Sequence, residues 1–384
     1  MIALLLALSC AGHELRGGSW DKQRCIDSLP EPKRSGLPNP LKPLATLLLA
    51  FNPTAGVWSS FGAASCSPSS AWQFSKLGAL NGQPHLRPRE KSRSLPPVEM
   101  HVDAKSQRLS NGFDYPLLGF GTWGLRGSRL RANLASAVKA GYRLIDTSST
   151  YGNEADIGRT LREVRGNKDL VLQSKISPRH MGREKAREAA LNSIKDMGRL
   201  DVLVIHWPGR SRKLRFETWQ VLEELYSSGR VRAIGVSNFL PEHIEALMKD
   251  GAKVRPMINQ FELHPLCQGR GIVEYCHKND IAVQSYSTLG GGPAKGKIRL
   301  EDGTSILLGH PSVVSISKEI GKSCACVCLR WAIQQNFGVI PKSRSLEHIQ
   351  SNAEIFDFEL TEDQMHRLQS LDEDHHFAWD PKTL

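Results

Sequence analysis

Eight strand-length apolar runs recur along the chain, and the segments between them carry a different periodicity. The runs are LLGFGTW (117–123), RLID (143–146), LVLQSK (170–175), VLVIHW (202–207), RAIGVSN (232–238), MINQFE (257–262), AVQSYS (282–287) and GVIPKS (338–343). Between them, RANLASAVKAG (131–141), EKAREAALNSIKDMG (184–198), FETWQVLEELYSSG (216–229) and PEHIEALMKDG (241–251) repeat apolar residues at helical spacing and end on Gly. SNFLPEHI predicts a helix opened by Pro241 behind a capping Ser or Asn. Strands that are apolar on both faces belong to a parallel sheet covered by helices. Eight strand–helix units within 101–384 predict an α/β fold, a parallel eight-stranded (β/α)8 TIM barrel. An open doubly wound sheet is the alternative. It calls for G-x-G-x-x-G after the first strand, and GFGTWG lacks that spacing.

A barrel of this kind carries its chemistry at the C-terminal ends of its strands. Read in order, those ends are Trp123, Asp146 with Tyr151 just beyond, Lys175, His206, Asn238, Gln260, Tyr286, and Lys342 with Ser343. Up to those points the strands are largely Val, Ile and Leu, so polar and ionisable groups gather at one rim. Each has a simpler reading taken singly. Asp146 could cap the segment that begins near 153, Lys175 could be a solvated rim charge, and His206 could be a core histidine. One such residue at the end of each of several strands favours a common site.

LGFGTW, DTSSTYGNE, LQSK, LVIHWP, GRVRAIGVSNF, INQFELHP and IPKSRSLEHIQSN, in this order across 103–384, resemble the signature stretches of the aldo-keto reductases. The loops look like those of the short-loop microbial and plant-type members. The resemblance implies a carbonyl reductase of the alcohol dehydrogenase or aldehyde reductase type, with a catalytic set at Asp146, Tyr151, Lys175 and His206. The chemistry accounts for these residue types. Hydride transfer to a carbonyl develops negative charge on oxygen, and a proton donor must meet it. A tyrosine, with an ordinary pKa of about 10, becomes a better acid beside an ammonium group. Lys175 supplies that charge, Asp146 holds Lys175, and His206 orients the carbonyl as a neutral donor.

The resemblance also implies NADPH, with NADH as the alternative, bound without a Rossmann motif. Thr122, Trp123, Ser237, Asn238, Gln260, Tyr286 and Ser287 match positions around the nicotinamide, Tyr286 as the stacking ring. Lys342, Ser343 and Arg344 match the 2′-phosphate end, and Asn352 matches the adenine contact. His348 stands where many relatives carry Arg, and Ser351 where they carry an acidic residue. Histidine does not reproduce arginine's bidentate grip on phosphate, which leaves compensation to Arg344. Trp123 and Trp207, with Tyr151 and His206, would wall the substrate pocket. The basic stretch PGRSRKLRFE (208–217) reads as a solvated loop. GGPAKGKI (291–298) nearly spells a phosphate-binding Walker loop, but Ile298 replaces the required Ser or Thr.

Residues 1–100 differ in kind. IALLLALSCA (2–11) resembles the apolar core of a signal peptide, and no Asp or Glu occurs from Pro32 to Arg89. These features predict a targeting or disordered extension before the 101–384 barrel. They point to an organelle such as a plastid, or to the cytoplasm if Met100 is the true start. The net charge is +11, but residues 1–98 hold 11 Lys/Arg against 5 Asp/Glu, so the body is only mildly basic and offers little to a nucleic acid. No run is long enough to span a membrane. Cys324, Cys326 and Cys328 have neither CxxC spacing nor His partners, so no metal is expected from the cysteine pattern. They read as buried free thiols on a helix, with Cys267 and Cys276 well apart from them. The expected partner is a small carbonyl compound, and the expected state a monomer. Two other functions fit some of the residues: an idle NADP-binding barrel serving as a redox-sensing partner, and a Schiff-base aldolase built on Lys175.

Overall fold

A computed structural model describes residues 105–164, 166–291, 305–378 and 380–383. The 1–100 extension with its three cysteines, and nearly all of the Walker-like segment, lie outside the described residues. A short antiparallel hairpin comes first, β1 (Ser106–Arg108) against β2 (Asp114–Pro116). Eight parallel strands follow, each hydrogen-bonded to the next in chain order. They are β3 (Gly119–Gly121), β4 (Leu144–Asp146), β5 (Val171–Ile176), β6 (Val202–Ile205), β7 (Ala233–Ser237), β8 (Ile258–Glu262), β9 (Ala282–Tyr286) and β10 (Gly338–Val339).

The first and last strands meet. Leu118 bridges Val339 in parallel, the Val339 N–H donates to the Leu117 carbonyl at 2.7 Å, and the Gly121 N–H donates to the Pro341 carbonyl at 3.2 Å. The sheet therefore curls into the expected (β/α)8 barrel and not an open sheet. The eighth strand is shorter than the 338–343 run, because Pro341 has no N–H to continue a ladder. The seam also needs Gly121, where a Cβ would stand 2.7 Å from the Ile340 carbonyl oxygen.

The outer layer comprises α1 (Gly127–Lys139), α2 (Glu154–Glu163), α3 (Arg183–Met197), α4 (Arg212–Ser227), α5 (Pro241–Lys249), α6 (Arg270–Lys278), α7 (Pro311–Ile320), α8 (Cys324–Ile333), α9 (Leu346–Ser351) and α10 (Glu362–Gln369). Most of them lay one stripe of buried residues inward, while α8 is buried from Cys326 to Ile333. In α3 the buried residues are Ala186, Ala189, Ala190, Ser193 and Met197, a helical spacing of small side chains. Two details differ from the sequence reading. α5 does start at Pro241, but its entry is not capped by Ser or Asn; the His243 Nδ1 accepts the Leu240 N–H at 3.2 Å. The supposed basic loop 208–217 supplies the first turns of α4, capped by the Ser211 side chain, which accepts the Leu214 N–H.

Cys326 and Cys328 on α8, Cys267 and Cys276 are buried and unpaired, and no helix among the described residues is long and apolar enough to cross a membrane.

α2 and α3 cross closely at Gly158. A Cβ there would overlap the Asp196 carbonyl oxygen and approach the Met197 Cα to 2.9 Å. Backbone cannot yield as a flexible side chain can. Gly158→Ala should therefore lower unfolding stability by about 1–3 kcal/mol, read as a lower denaturant midpoint at unchanged slope. An unshifted midpoint would show that this crossing adapts.

Candidate active site

β4 and β5 run side by side with Asp146 in register with Gln173, which puts Lys175 one pleat further toward the rim on the same side. Asp146 and Lys175 are both buried inside the barrel. The Lys175 Nζ donates to both Asp146 oxygens, at 2.6 and 2.7 Å, and to the Thr147 carbonyl at 2.9 Å. All three ammonium protons thus have acceptors. Burial opposes the charge on Lys175 most strongly of any single effect, but Asp146 and Tyr151 together outweigh it and the lysine pKa rises above its usual value. Asp146 is not a helix cap. Its Oδ2 also accepts from Gln173 Nε2 at 2.8 Å and from Gln260 Nε2 at 3.1 Å.

Tyr151 lies in the loop after β4, its N–H held by the Ser148 carbonyl at 2.9 Å, half-buried, with the Lys175 Nζ 5.4 Å from its ring centroid. Burial raises the phenol pKa, and Lys175 pulls the other way. The phenol is consequently protonated at neutral pH. His206 follows β6 and meets Tyr151 edge to face, ring centroids 6.0 Å apart. Burial, reinforced by Lys175, lowers the His206 pKa to about 3. The ring is neutral, and its Nδ1 lies 3.1 Å from the Ser148 hydroxyl. With Ser148 donating there, the proton sits on Nε2 and is available to a carbonyl oxygen.

Ser148 was not singled out in the sequence. The only hint is the hydroxyl-rich DTSST stretch, in which Thr147 Oγ1 also donates to Asn153 Oδ1 at 2.7 Å and Ser149 Oγ to the Lys175 carbonyl at 3.0 Å. Asn153 then donates to the Thr122 and Leu125 carbonyls at 3.0 and 3.2 Å, which fixes the loop to the end of β3. Beneath the charged pair is an amide layer that was equally unforeseen. Gln173 and Gln260 both donate to Gln284 Oε1, at 2.8 and 2.6 Å, and the Tyr115 hydroxyl of β2 donates to Gln173 Oε1 at 2.5 Å.

The remaining rim residues fall into two groups. Asn238, in a left-handed conformation (φ 61°), donates to the His206 carbonyl at 3.0 Å and to the buried Ser237 hydroxyl at 3.1 Å, and accepts from the Tyr286 hydroxyl at 2.7 Å. Ser287 follows Tyr286, also left-handed at φ 53°. This cluster of amide and hydroxyl groups beside an aromatic ring fits a carboxamide-bearing heterocycle. The second group starts at Trp123, 48% exposed, with the Lys342 Nζ 6.0 Å from its ring centroid. Lys342, Arg344 and His348 are exposed around the start of α9, a cationic setting that suits phosphate.

Other residues of the expected set are placed less directly. Thr122 is buried and donates to the Asp146 carbonyl at 2.9 Å, Gln260 belongs to the amide layer, and the Ser343 hydroxyl is turned onto Ser345. Asn352 is buried at the end of α9, and Trp207 is half-buried next to His206. Two arginines of the basic stretch have structural partners. Arg212 pairs with Asp250 at 2.6 Å, and Arg215 is buried on the Pro208 and Gly209 carbonyls at 2.8 and 3.1 Å.

The profile of the Aldo/keto reductase family matches residues 117–373. Among curated proteins, the 9,11-endoperoxide prostaglandin H2 reductase of Trypanosoma cruzi is 39% identical over 289 residues, 74% of this chain and 98% of that one. The glyoxal reductase of Bacillus subtilis is 34% identical over 281 residues, 72% of this chain and 96% of that one. Among solved structures, an aldo/keto reductase from Brucella melitensis superposes with a TM-score of 0.64 at 35% identity, over 70% of this chain and 97% of that one.

The neutral His206 has a consequence for stability. Its pKa in the fold lies below the ordinary 6.5 that applies to the unfolded chain, so unfolding takes up a proton between pH 6.5 and about 3. The contribution is fully present above pH 6.5 and is lost as pH falls, at up to about 1.4 kcal/mol per pH unit. His206→Asn should flatten this acid limb in denaturant titrations from pH 7 to 4. An unchanged slope in the variant would rule out a suppressed histidine.

Proposed function

The chain belongs to the aldo/keto reductase family, and we propose that it reduces aldehydes or ketones to alcohols with NADPH, Tyr151 giving the proton. As a family member it is an oxidoreductase for small carbonyl compounds. The more specific reading rests above all on one observation: a fully hydrogen-bonded, buried Lys175–Asp146 pair lies beside a half-buried tyrosine and across from a histidine held neutral.

When bound, the nicotinamide cofactor supplies the hydride. Ser237 and Asn238 would hold its carboxamide end, with Tyr286 as the stacking ring. Lys342 and Arg344, with His348 nearby, would hold its phosphate end, which favours NADPH over NADH. The His206 Nε2–H directs the carbonyl oxygen toward the Tyr151 hydroxyl. As charge develops on that oxygen, the Tyr151 proton moves to it. The ammonium of Lys175 stabilises the phenolate left behind. Asp146 acts as a positioning residue, since its oxygens face Lys175, Gln173 and Gln260. Trp123 and Trp207 supply apolar walls for the body of the substrate.

An aldolase would need Lys175 as a free amine, but its Nζ gives a proton to each of three acceptors and Asp146 favours the charged form. An idle cofactor-binding barrel would have no need for the full proton-transfer set. Tyr151→Phe should lower carbonyl-dependent NADPH oxidation by about a hundredfold or more. NADPH affinity, read by fluorescence titration, should change little. Wild-type turnover by this variant across a panel of aldehydes and ketones would remove Tyr151 from the mechanism.

A further inference from the structure

Beyond the proton-transfer site, side chains from two distant parts of the chain converge past the C-terminal end of β8. The Cys267 Sγ lies 3.7 Å from each ring nitrogen of His376. His376 Nε2 is 3.5 Å from Asp374 Oδ1 and 3.9 Å from Asp380 Oδ1. One ligand atom each from Cys267, Asp374 and His376 falls within 4.8 Å of the others. We infer that this cluster is a binding site for a zinc-class divalent cation, with Cys267 Sγ, His376 Nε2 and a carboxylate oxygen of Asp374 as ligands.

The spacing supports it. Tetrahedral zinc, with bonds of roughly 2.3 Å to sulfur and about 2.0–2.1 Å to nitrogen or oxygen, holds its ligand atoms about 3.3–3.6 Å apart. The Nε2–Oδ1 separation of 3.5 Å already lies in that range, and the Sγ, now 3.7 Å from both ring nitrogens, has to swing toward the Nε2 side as the ion enters. Asp380 or a water can complete the shell.

The second line of support is what holds the imidazole. Its Nδ1 lies 3.0 Å from Glu262 Oε2, a buried carboxylate on the last residue of β8. A metal-binding histidine commonly donates its other N–H to a carboxylate in this way, which fixes the tautomer and turns Nε2 outward. Glu262 is itself held by the Phe377 and Ala378 N–H groups, at 2.7 and 3.2 Å.

The ligands also sit on constrained backbone. Cys267 is in a tight turn, bonded both ways with His264 at 2.8 and 3.0 Å, and the Glu373 and His375 N–H groups both donate to the Leu266 carbonyl, at 3.1 and 3.0 Å. Lys382 pairs with Asp374 Oδ2 at 2.7 Å, which leaves Oδ1 toward the cluster. Cys267 is buried while Asp374 is exposed, so the site opens to solvent on one side.

Thiolate with imidazole selects a zinc-class ion over magnesium or calcium. On binding, the Cys267 thiol releases its proton to solvent and a sulfur–metal bond forms, with no change of oxidation state. The bound ion would tie the C-terminal segment to the loop after β8, next to Tyr286, whose carbonyl accepts the Leu263 N–H at 3.4 Å. Cys267 and His376 are 109 positions apart, so no local spacing announces the site.

The test titrates metal-free full-length protein with cobalt(II), then displaces it with zinc. One equivalent should bind with a near-ultraviolet thiolate-to-cobalt charge-transfer band. Cys267→Ser should abolish the band, and Cys276→Ser, at another buried thiol, should keep it. Asp374→Asn, a change at an exposed position that leaves the core intact, and Glu262→Gln should each weaken binding about 10–100-fold. Cobalt binding without the band, a band that survives in Cys267→Ser, or wild-type affinity in Asp374→Asn would overturn the assignment.

Discussion

The ion pair between Lys175 and Asp146 sets the terms for the interior of the barrel. Removing two charges from water costs several kcal/mol per ion, and their attraction repays this only where the remaining donors and acceptors are satisfied. The amide layer supplies those partners to Asp146. Gln173 on β5 and Gln260 on β8 both donate to Asp146 Oδ2 and both reach Gln284 on β9. Tyr115 of the hairpin extends the network at Gln173. Strands on opposite sides of the barrel are thereby joined through one carboxylate. The centre is polar by necessity, while β6 is apolar and buried along its whole length.

The same positive charge acts differently on its two neighbours. At Tyr151 it opposes the effect of burial, stabilising the phenolate that burial alone would disfavour. At His206 it adds to burial, and together they keep the ring neutral. A single ammonium group thus favours the phenolate on one side and the neutral ring on the other, as the proposed proton transfer would require. Ser148 engages the Nδ1 of that ring at 3.1 Å, which leaves Nε2 for another partner.

Much of this was legible in the sequence, because strand and helix periodicities are local and barrel topology converts strand ends into one rim. Asp146, Lys175 and His206 are legible for that reason, as is Tyr151 one loop later. What stayed hidden depends on partners distant in the chain. Gln173, Gln284 and Tyr115 read as unremarkable strand residues until closure brings β4, β5, β8 and β9 around one carboxylate. The arginines at 212 and 215 read as a loop because their acceptors, Asp250 and the Pro208 and Gly209 carbonyls, are set by the packing of α4. The shortened eighth strand follows from a local rule, the missing N–H of Pro341, that apolar periodicity overrides.

A second buried carboxylate shows how the same device serves a different end. Asp146 is surrounded by side-chain donors and fixes one ammonium. Glu262, also inside the barrel rim, accepts from backbone N–H groups of Phe377 and Ala378 and faces the rings of His264 and His376. Burial alone would raise its pKa, but this ring of donors holds it below the ordinary carboxylate range. Its anionic form is therefore built into the docking of the C-terminal segment. One carboxylate fixes a buried ammonium on the β4–β5 side. The other organises the chain on the β8–β9 side, where it holds the C-terminal segment.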